Sequence, residues 1–314
     1  IAKHGPELMA LGRENGCSLR FEASVGGGIP IIGPLQKDLL ANQFSGVRAI
    51  INGTTNYILS RMADDGLEFS AALQQAKDLG YAESDPSNDL DGLDAAFKLA
   101  ILCSLAFHSS VYASDVYYEG INNLAAADFQ YASDLGYAIK LLAIGRQLGG
   151  GLQVRVHPSF ISAEHPLARV KGAFNAVELQ GDLIDQVMFY GRGAGGTPTA
   201  SAVVSDILDV ARSIATRTDP VLPPEFNKTL EVRSMGDLET QYYIRLRVND
   251  KPGVMAQITK VLGDSDVSIA AVIQKAVIKP EQLAEIVVTT HLAKEASMQQ
   301  ALLQLSQLEV VREV

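Results

Sequence analysis

The sequence of 314 residues is 47% hydrophobic and 20% charged, which favours a folded protein of about two domains and argues against disorder. Its formal net charge is -10, so we expect no basic surface for nucleic acid or anionic lipid. Two cysteines, Cys17 and Cys103, are too few for a disulfide framework and lie in no metal-binding spacing, so we expect buried thiols in a reducing compartment. The longest apolar run, residues 99–107, is too short to span a membrane, and we expect a cytoplasmic protein.

The N-terminal part of the chain predicts helices that alternate with strands. Apolar residues at helical spacing over residues 6–13 end at Gly16, and the strand-like run CSLRFEASV follows. A second strand ends near Asn52 and leads through a GTTN turn into a helix that Thr54 or Thr55 can cap. The sequence starts at Ile1, directly in a helical pattern, and we therefore expect that a longer protein contains a preceding segment.

The middle of the chain predicts a mixed sheet covered by helices. Helical patterns occupy residues 70–80, 93–107 and 132–147. Strand-like runs occupy residues 152–161, 173–181 and 185–191. The helix over residues 93–107 is almost entirely apolar and should lie in the core.

A proline-rich stretch near residues 218–240 predicts a linker, after which the pattern changes. Residues 241–314 predict strand, helix, strand, a KPEQ turn, strand, helix and strand, the βαββαβ order of a ferredoxin-like module. This module carries eight basic and eight acidic residues, so the whole net charge of -10 belongs to residues 1–240.

The densest group of ionisable residues lies between Gly80 and Lys98. Five carboxylates share this segment: Glu83, Asp85, Asp89, Asp91 and Asp94. Lys98 follows Asp94 by one helical turn, on the same face. One interpretation is a solvated acidic loop with helix caps and an ion pair. A calcium loop is disfavoured, because Lys98 stands where the bidentate glutamate is needed. A third interpretation is a site in which carboxylates hold an ammonium-bearing substrate while the lysine exchanges a proton with a substrate oxygen.

Two glycine-rich loops are candidate ligand sites. The run GRGAGGT matches GxGxxG at Gly191, Gly193 and Gly196, but no βαβ unit follows, which argues against a complete dinucleotide-binding fold. The helix N-terminus behind it can still contact a cofactor phosphate or amide. In EASVGGGIP, backbone carbonyls beside Glu22 can ligate a hard cation, or the glycines simply form a tight turn.

Other motifs narrow the choice of function. Pro252 and Gly253 form a turn before a helix, which either binds the carboxylate of a small amino acid or only connects two elements. The five histidines lie in no metal spacing, and GxSxG, HExxH and P-loop motifs are absent from the sequence, which disfavours the common hydrolases and nucleotidases.

Five segments, taken in order, resemble the homoserine dehydrogenase family: RFEASVGGGIPII, INGTTNYIL, GYAESDPSNDLDGLDAAFKLAIL, RVHPSFI and YGRGAGGTPTASAVVSDI. Residues 241–314 resemble an ACT domain, so the likeness is to the monofunctional form without a kinase. The resemblance implies NAD(P)-dependent interconversion of L-homoserine and L-aspartate 4-semialdehyde in threonine and methionine biosynthesis. It also implies allosteric control by an amino acid, with threonine the expected effector.

The resemblance assigns roles to particular residues. Lys98 matches the catalytic lysine, which exchanges a proton with the substrate oxygen. Glu83 matches the carboxylate that contacts the substrate, Asp94 the acid beside it, and Asp89 a further polar substrate contact. Tyr81, Gly53 and Thr54 match positions that line the substrate pocket. Gly80 and Gly195 match glycines near the nicotinamide cofactor. A sodium site corresponds to Glu22 with the backbone of Val25, Gly27 and Ile29. The effector is expected at Asp250, Pro252, Gly253 and Val254.

The predicted fold class is α/β (α+β), a mixed-sheet catalytic and dimerisation domain followed by the ACT domain. We expect residues 1–20 to be a remnant of a cofactor domain, 21–217 the catalytic body, 218–240 the linker and 241–314 the regulatory domain. Because most of the family's N-terminal Rossmann domain is not in the sequence, we expect no turnover by this chain alone. The alternative is a non-catalytic fragment that binds an amino acid and dimerises. Either way, a homodimer or homotetramer is expected, since ACT modules commonly pair sheet edges.

Overall fold

The structure, a computed structural model, describes residues 1–226, 230–278 and 283–314. The described chain forms two compact units, Ile1–Val232 and Arg233–Val314. The division between them falls inside the range predicted as a linker, and the predicted KPEQ turn lies outside the described residues.

The first unit combines helices with one mixed sheet. Its helices are α1 (Gly5–Glu14), α2 (Ile32–Gln36), α3 (Gly53–Asp65), α4 (Phe69–Asp78), α5 (Ser87–Leu90), α6 (Leu93–Phe107), α7 (Ala126–Asp134) and α8 (Gly196–Thr216). Its strands are β1 (Phe44–Ile50), β2 (Tyr117–Tyr118), β3 (Tyr137–Leu148), β4 (Gly151–Ser162), β5 (Phe174–Gly181), β6 (Asp185–Arg192) and β7 (Glu231–Val232). The sheet order is β2-β4-β3-β1-β5-β6, with β7 also beside β4. The short strands β2 and β7 run parallel to β4, and the other pairs are antiparallel.

Helix α6 forms the centre of the core, as its apolar pattern predicts. Leu99 and Leu102 are fully buried among residues of β1, β3 and β4. Gly145 of β3 allows the closest approach, because a Cβ atom there would lie 2.3 Å from the Cys103 sulfur. Met9 of α1 is buried in the same cluster, so the first twenty residues belong to this unit and do not form a separate body.

The helix predicted over residues 132–147 is wrong. Helix α7 ends at Asp134, Gly136 turns the chain with a φ of 80°, and the rest is strand β3. In β3, Leu141 packs on the α6 side of the sheet and Leu142 on the opposite side. A central strand covered on both faces is a continuous apolar run, which periodicity cannot distinguish from a buried helix.

Three local predictions near the N-terminus are also wrong. Residues 17–21 form no strand, and Glu22–Ser24 form a short 3₁₀ helix. Helix α3 is capped by Asn52, and not by Thr54 or Thr55. Cys17 is exposed, and only Cys103 is a buried thiol. At the start of α3, the Asn52 side chain bonds to the Thr55 backbone N–H and takes the cap position.

The second unit has the predicted βαββαβ order. Its elements are β8 (Glu239–Thr240), β9 (Tyr243–Asn249), α9 (Val254–Asp264), β10 (Ile269–Ile278), β11 (Leu283–Thr290), β12 (Ala293–Lys294), α10 (Glu295–Ser306) and β13 (Val311–Glu313). Four strands form an antiparallel sheet in the order β10-β11-β9-β13, and β8 pairs with β12. The ferredoxin-like prediction is confirmed. Across the described ranges, no helix combines the length and apolar character that a membrane span requires.

Candidate active site

The N-terminus of α3 positions a buried amide, Asn52. Its Oδ1 accepts the Thr55 backbone N–H at 2.9 Å, which caps the helix. Its Nδ2 donates to Asp89 Oδ1 at 2.8 Å and to Asp94 Oδ2 at 2.9 Å. The cap therefore orients the amide so that one side chain joins two carboxylates. Sequence reasoning missed Asn52, although its place just before the GTTN turn is a typical N-cap position.

Lys98 meets the same carboxylate from α6. Its Nζ lies 2.7 Å from Asp94 Oδ2, the i,i+4 contact that the spacing predicted, and 3.2 Å from the Ile51 carbonyl oxygen. The side chains of Lys98 and Asp94 are 22% and 30% exposed, so a small ligand can reach both. Asn52, Asp89, Asp94 and Lys98 form one hydrogen-bonded group, called the polar cluster below.

The remaining acidic residues of this segment lie outside the polar cluster. Asp91 accepts a hydrogen bond from Asn122 at 2.7 Å. Asp85 accepts from the Ser87 hydroxyl and backbone N–H, and these bonds lower the pKa of the Asp85 carboxyl. Glu83 is exposed and forms no hydrogen bond or ion pair within the described residues. Two of the five carboxylates, Asp89 and Asp94, thus bond to the Asn52 amide, and Asp94 also contacts Lys98.

The aromatic edge beside the cluster is built around Tyr81. Thr54 Oγ1 donates to the Tyr81 carbonyl oxygen at 2.7 Å, and the Tyr81 ring lies 4.9 Å from the Tyr57 ring. Gly53 packs against the backbone of Ala173, since a Cβ there would lie 3.2 Å from its carbonyl oxygen. The predicted pocket residues Gly53, Thr54 and Tyr81 are therefore adjacent in space.

The two glycine-rich loops, separated by more than 160 positions in the chain, lie in contact. The Gly28 N–H donates to the Arg192 carbonyl oxygen at 3.1 Å. A Cβ on Gly27 would lie 2.4 Å from the Gly193 carbonyl oxygen. Gly193 in turn covers the buried Asn175 amide, whose Nδ2 would lie 1.8 Å from a Cβ atom. Only glycines permit this packing, so the motif has a structural role whatever it binds.

Two other glycines leave backbone accessible. Gly195 is exposed with a φ of 115° and precedes the first turn of α8, whose N–H groups lack partners within the helix. Gly80 is exposed with a φ of 73°. Both offer a ligand close approach to the backbone, as the cofactor prediction requires.

The Glu22 carboxylate is a strong hydrogen-bond acceptor in this structure. Oε1 accepts the N–H groups of Ile31 and Ile32 at 2.7 and 2.8 Å, and Oε2 accepts that of Gly33 at 2.6 Å. The carbonyl oxygens of Val25, Gly27 and Ile29 accept no hydrogen bond within the described part of the chain. Across residues 1–226, 230–278 and 283–314, no group of three or more His, Cys, Asp or Glu side chains could hold a metal ion.

In the second unit, the predicted effector residues lie at the turn into α9. Gly253 caps the helix with a φ of 88°, and the Lys251 N–H donates to the Asn249 carbonyl oxygen at 3.0 Å. The Val254 side chain is buried in the core of this unit, while Asp250, Pro252 and Gly253 are exposed.

Comparison with known proteins identifies the family. Residues 30–208 match the homoserine dehydrogenase family, and residues 242–310 match the ACT domain. A homoserine dehydrogenase of Synechocystis sp. is 46% identical over 323 residues, which cover 100% of this chain and 74% of that protein. The chain belongs to the homoserine dehydrogenase family. It therefore falls in an oxidoreductase family and carries an ACT domain.

Solved structures agree with this assignment. A homoserine dehydrogenase from Thiobacillus denitrificans superposes with a TM-score of 0.92 at 41% identity, covering 100% of this chain and 72% of that one. A hyperthermophilic archaeal homoserine dehydrogenase in complex with NADPH has a TM-score of 0.58 at 32% identity, covering 68% of this chain and 61% of that one. The mixed sheet and the ACT domain predicted from sequence are confirmed.

Proposed function

We propose that the polar cluster is the substrate site at which L-homoserine and L-aspartate 4-semialdehyde are interconverted. The observation that carries this proposal is the contact of Lys98 with Asp94, which Asn52 links to Asp89. A small molecule can reach one cation and two carboxylates here. The carboxylates complement the ammonium group of homoserine, and the lysine complements its hydroxyl group.

In this proposal, Asp89 and Asp94 hold the substrate ammonium group, and Glu83 approaches it from the exposed loop. The Lys98 Nζ lies at the substrate oxygen and exchanges a proton with it, as an alcohol becomes an aldehyde or the reverse. Asn52 keeps the two aspartates at fixed separation. Tyr81, with Gly53 and Thr54, closes one side of the pocket.

The cofactor in this proposal is NADP or NAD. The archaeal relative's complex with NADPH supports it, and so do the accessible backbone positions at Gly80 and Gly195. When bound, the nicotinamide would take or give the hydride. The chain's part is to donate backbone N–H groups from the start of α8 to the cofactor and to hold the substrate carbon toward it.

A sodium ion fits the chemistry of the loop around Glu22. The carbonyl oxygens of Val25, Gly27 and Ile29 are available, and hard cations prefer such oxygens. Three N–H groups occupy the Glu22 carboxylate, which has about four acceptor positions, so it retains one for an ion. The ion would fix the loop against the second glycine loop.

We also propose residues 21–217 as the catalytic and dimerisation domain, and residues 241–314 as the regulatory domain. An amino acid, most naturally threonine as the end product of the pathway, would bind at Asp250, Pro252, Gly253 and Val254. A homodimer or homotetramer would cover the outer strand β10 of the ACT sheet. The proposed cellular role is in threonine and methionine biosynthesis.

The test measures binding and turnover separately. L-Homoserine is titrated calorimetrically into this chain. Oxidation of NADPH by aspartate 4-semialdehyde is followed at steady state with a relative's cofactor-binding domain supplied, because no turnover is expected from this chain alone. Lys98→Ala should lower kcat about 100-fold or more, the usual loss for a general acid or base. Lys37→Ala, at an exposed lysine remote from the cluster in sequence, is the control and should leave kcat unchanged.

Two results would contradict the proposal. If Lys98→Ala turns over at the wild-type rate, the proton-transfer role is wrong. If the protein binds no homoserine, the polar cluster is not the substrate site.

A further inference from the structure

A segment outside the polar cluster lies along the helix that carries Asn52. Residues 170–174, called the strap, run beside α3. The Gly172 N–H donates to Ser60 Oγ at 3.0 Å, and Lys171 pairs with Asp64 at 2.6 Å. The Gly172–Ser60 bond and the contact of Gly53 with Ala173 hold the strap along the helix, and the Lys171 pair lies at the surface beside it.

Asn56 makes the central hydrogen-bonded contact between α3 and the strap. It is 2% exposed, and its Nδ2 lies 3.2, 2.8 and 3.0 Å from the carbonyl oxygens of Val170, Gly172 and Phe174. Three carbonyl oxygens surround one NH₂ group, whose two protons can reach them only when the amide faces the strap. Asn56 follows Asn52 by four residues and lies on the same face of α3.

Lys140 of β3 fixes the orientation of that amide. Its Nζ donates to Asn56 Oδ1 at 3.3 Å and to the Val170 carbonyl oxygen at 2.5 Å. An ammonium group only donates, so it selects the orientation in which Asn56 Oδ1 faces β3 and Nδ2 faces the strap. Lys140 links the sheet, the strap and α3 at one point.

Burying the charged amine of Lys140 costs free energy. It is 4% exposed, and within the described residues it forms no ion pair. Burial lowers its pKa to about 8, with Lys171 and Asp64 as the charged groups that act on it. Since an apolar side chain of similar size would fill the same space without this cost, stability alone does not account for the lysine.

We propose that Lys140 and Asn56 are positioning residues: through the strap they hold the first turn of α3 so that Asn52 stays bonded to Asp89 and Asp94. This inference rests on the proposed function, because its effect on a reaction is exerted at the polar cluster. Neither residue touches the substrate.

The experiment compares Lys140→Met with Lys171→Met. Both remove a lysine amine next to the same strap, but the Lys171 ion pair is at the surface, where such pairs contribute little. The first readout is amide hydrogen exchange of α3, in particular Thr55, whose N–H bonds to Asn52. The second is the Kd of L-homoserine by calorimetry at 15 °C, where both variants are checked to be folded by circular dichroism.

We expect Lys140→Met to speed exchange of the Thr55 amide and to weaken homoserine binding about tenfold or more, since small displacements of positioning groups have large effects. For Lys171→Met, the Thr55 exchange rate and the Kd of homoserine should stay within about twofold of the wild-type values. Asn56→Leu should resemble Lys140→Met, and the double variant should add little, because the two residues act through one contact.

The outcomes separate this inference from the proposed function. Lost thermal stability with unchanged exchange at Thr55 and unchanged Kd would mean that Lys140 is merely structural, and the inference would be overturned. If wild-type protein binds no homoserine, the proposed function fails, and the Thr55 exchange comparison alone decides whether Lys140 orders the start of α3. If Lys140→Met does not fold, Asn56→Leu carries the same comparison.

Discussion

Replacing Lys140 by methionine should remove a pH-dependent gain in stability. Burial lowers the pKa of Lys140 from 10.5 to about 8. At pH 7 the amine is charged in both the folded and the unfolded protein, and the folded state carries the cost of burying that charge. Between pH 8 and pH 10.5 the folded protein releases the proton while the unfolded chain keeps it.

The sign and size of the effect follow from proton linkage. Because the unfolded state binds more protons in this window, the free energy of unfolding rises with pH. One pKa unit corresponds to about 1.4 kcal/mol, so the full shift is worth about 3 kcal/mol, and about 2.5 kcal/mol of it develops between pH 7 and pH 10. Methionine does not titrate, so the variant should lack this gain.

Urea unfolding at pH 7, 8, 9 and 10 measures the quantity directly. The difference in unfolding free energy, wild type minus Lys140→Met, should grow by about 2 to 3 kcal/mol across the series. Taking the difference cancels the contributions of tyrosines and other groups that titrate in both proteins. Lys37→Met, at an exposed lysine that is not among the charged groups acting on Lys140, serves as the control and should retain the wild-type slope. If the difference stays constant across the series, burial does not lower the pKa of Lys140. The free-energy cost of burying this lysine would then no longer support its positioning role.

Three further predictions test other parts of the structure. Asn52→Ala should cost about 1 kcal/mol in urea unfolding through loss of the α3 cap, and should weaken homoserine binding, because the two aspartates lose their shared donor. Gly193→Ala should lower the free energy of unfolding by about 1 to 3 kcal/mol, since its Cβ meets a buried amide. The control Gly196→Ala, with open space around it in the same loop, should leave this free energy unchanged or raise it by up to about 1 kcal/mol. Thermal unfolding measures both variants. In native protein a maleimide should label exposed Cys17, while Cys103 should react only in denaturant, because burial raises the pKa of its thiol and blocks access; equal labelling would contradict this.

Much of the candidate site could be predicted from local pattern. The spacing of Asp94 and Lys98 on one helix face predicted a contact that depends only on α6 being a helix, and α6 has the predicted bounds. The same pattern could not rank the neighbouring carboxylates. Asp89 joins the polar cluster while Asp91 bonds to Asn122, a choice made by residues 37 and 31 positions away.

The sequence by itself determined the elements whose signal is local: the apolar helix α6, the i,i+4 pair at its start, and the βαββαβ order of the C-terminal unit. The tertiary structure alone decided that residues 137–148 form a central strand, because burial on both faces erases the period that distinguishes strand from helix. It alone placed Asn52 between two aspartates, pressed the two glycine loops together and buried Lys140 against Asn56. These contacts join residues far apart in the chain, and their energies depend on distances that no local pattern contains.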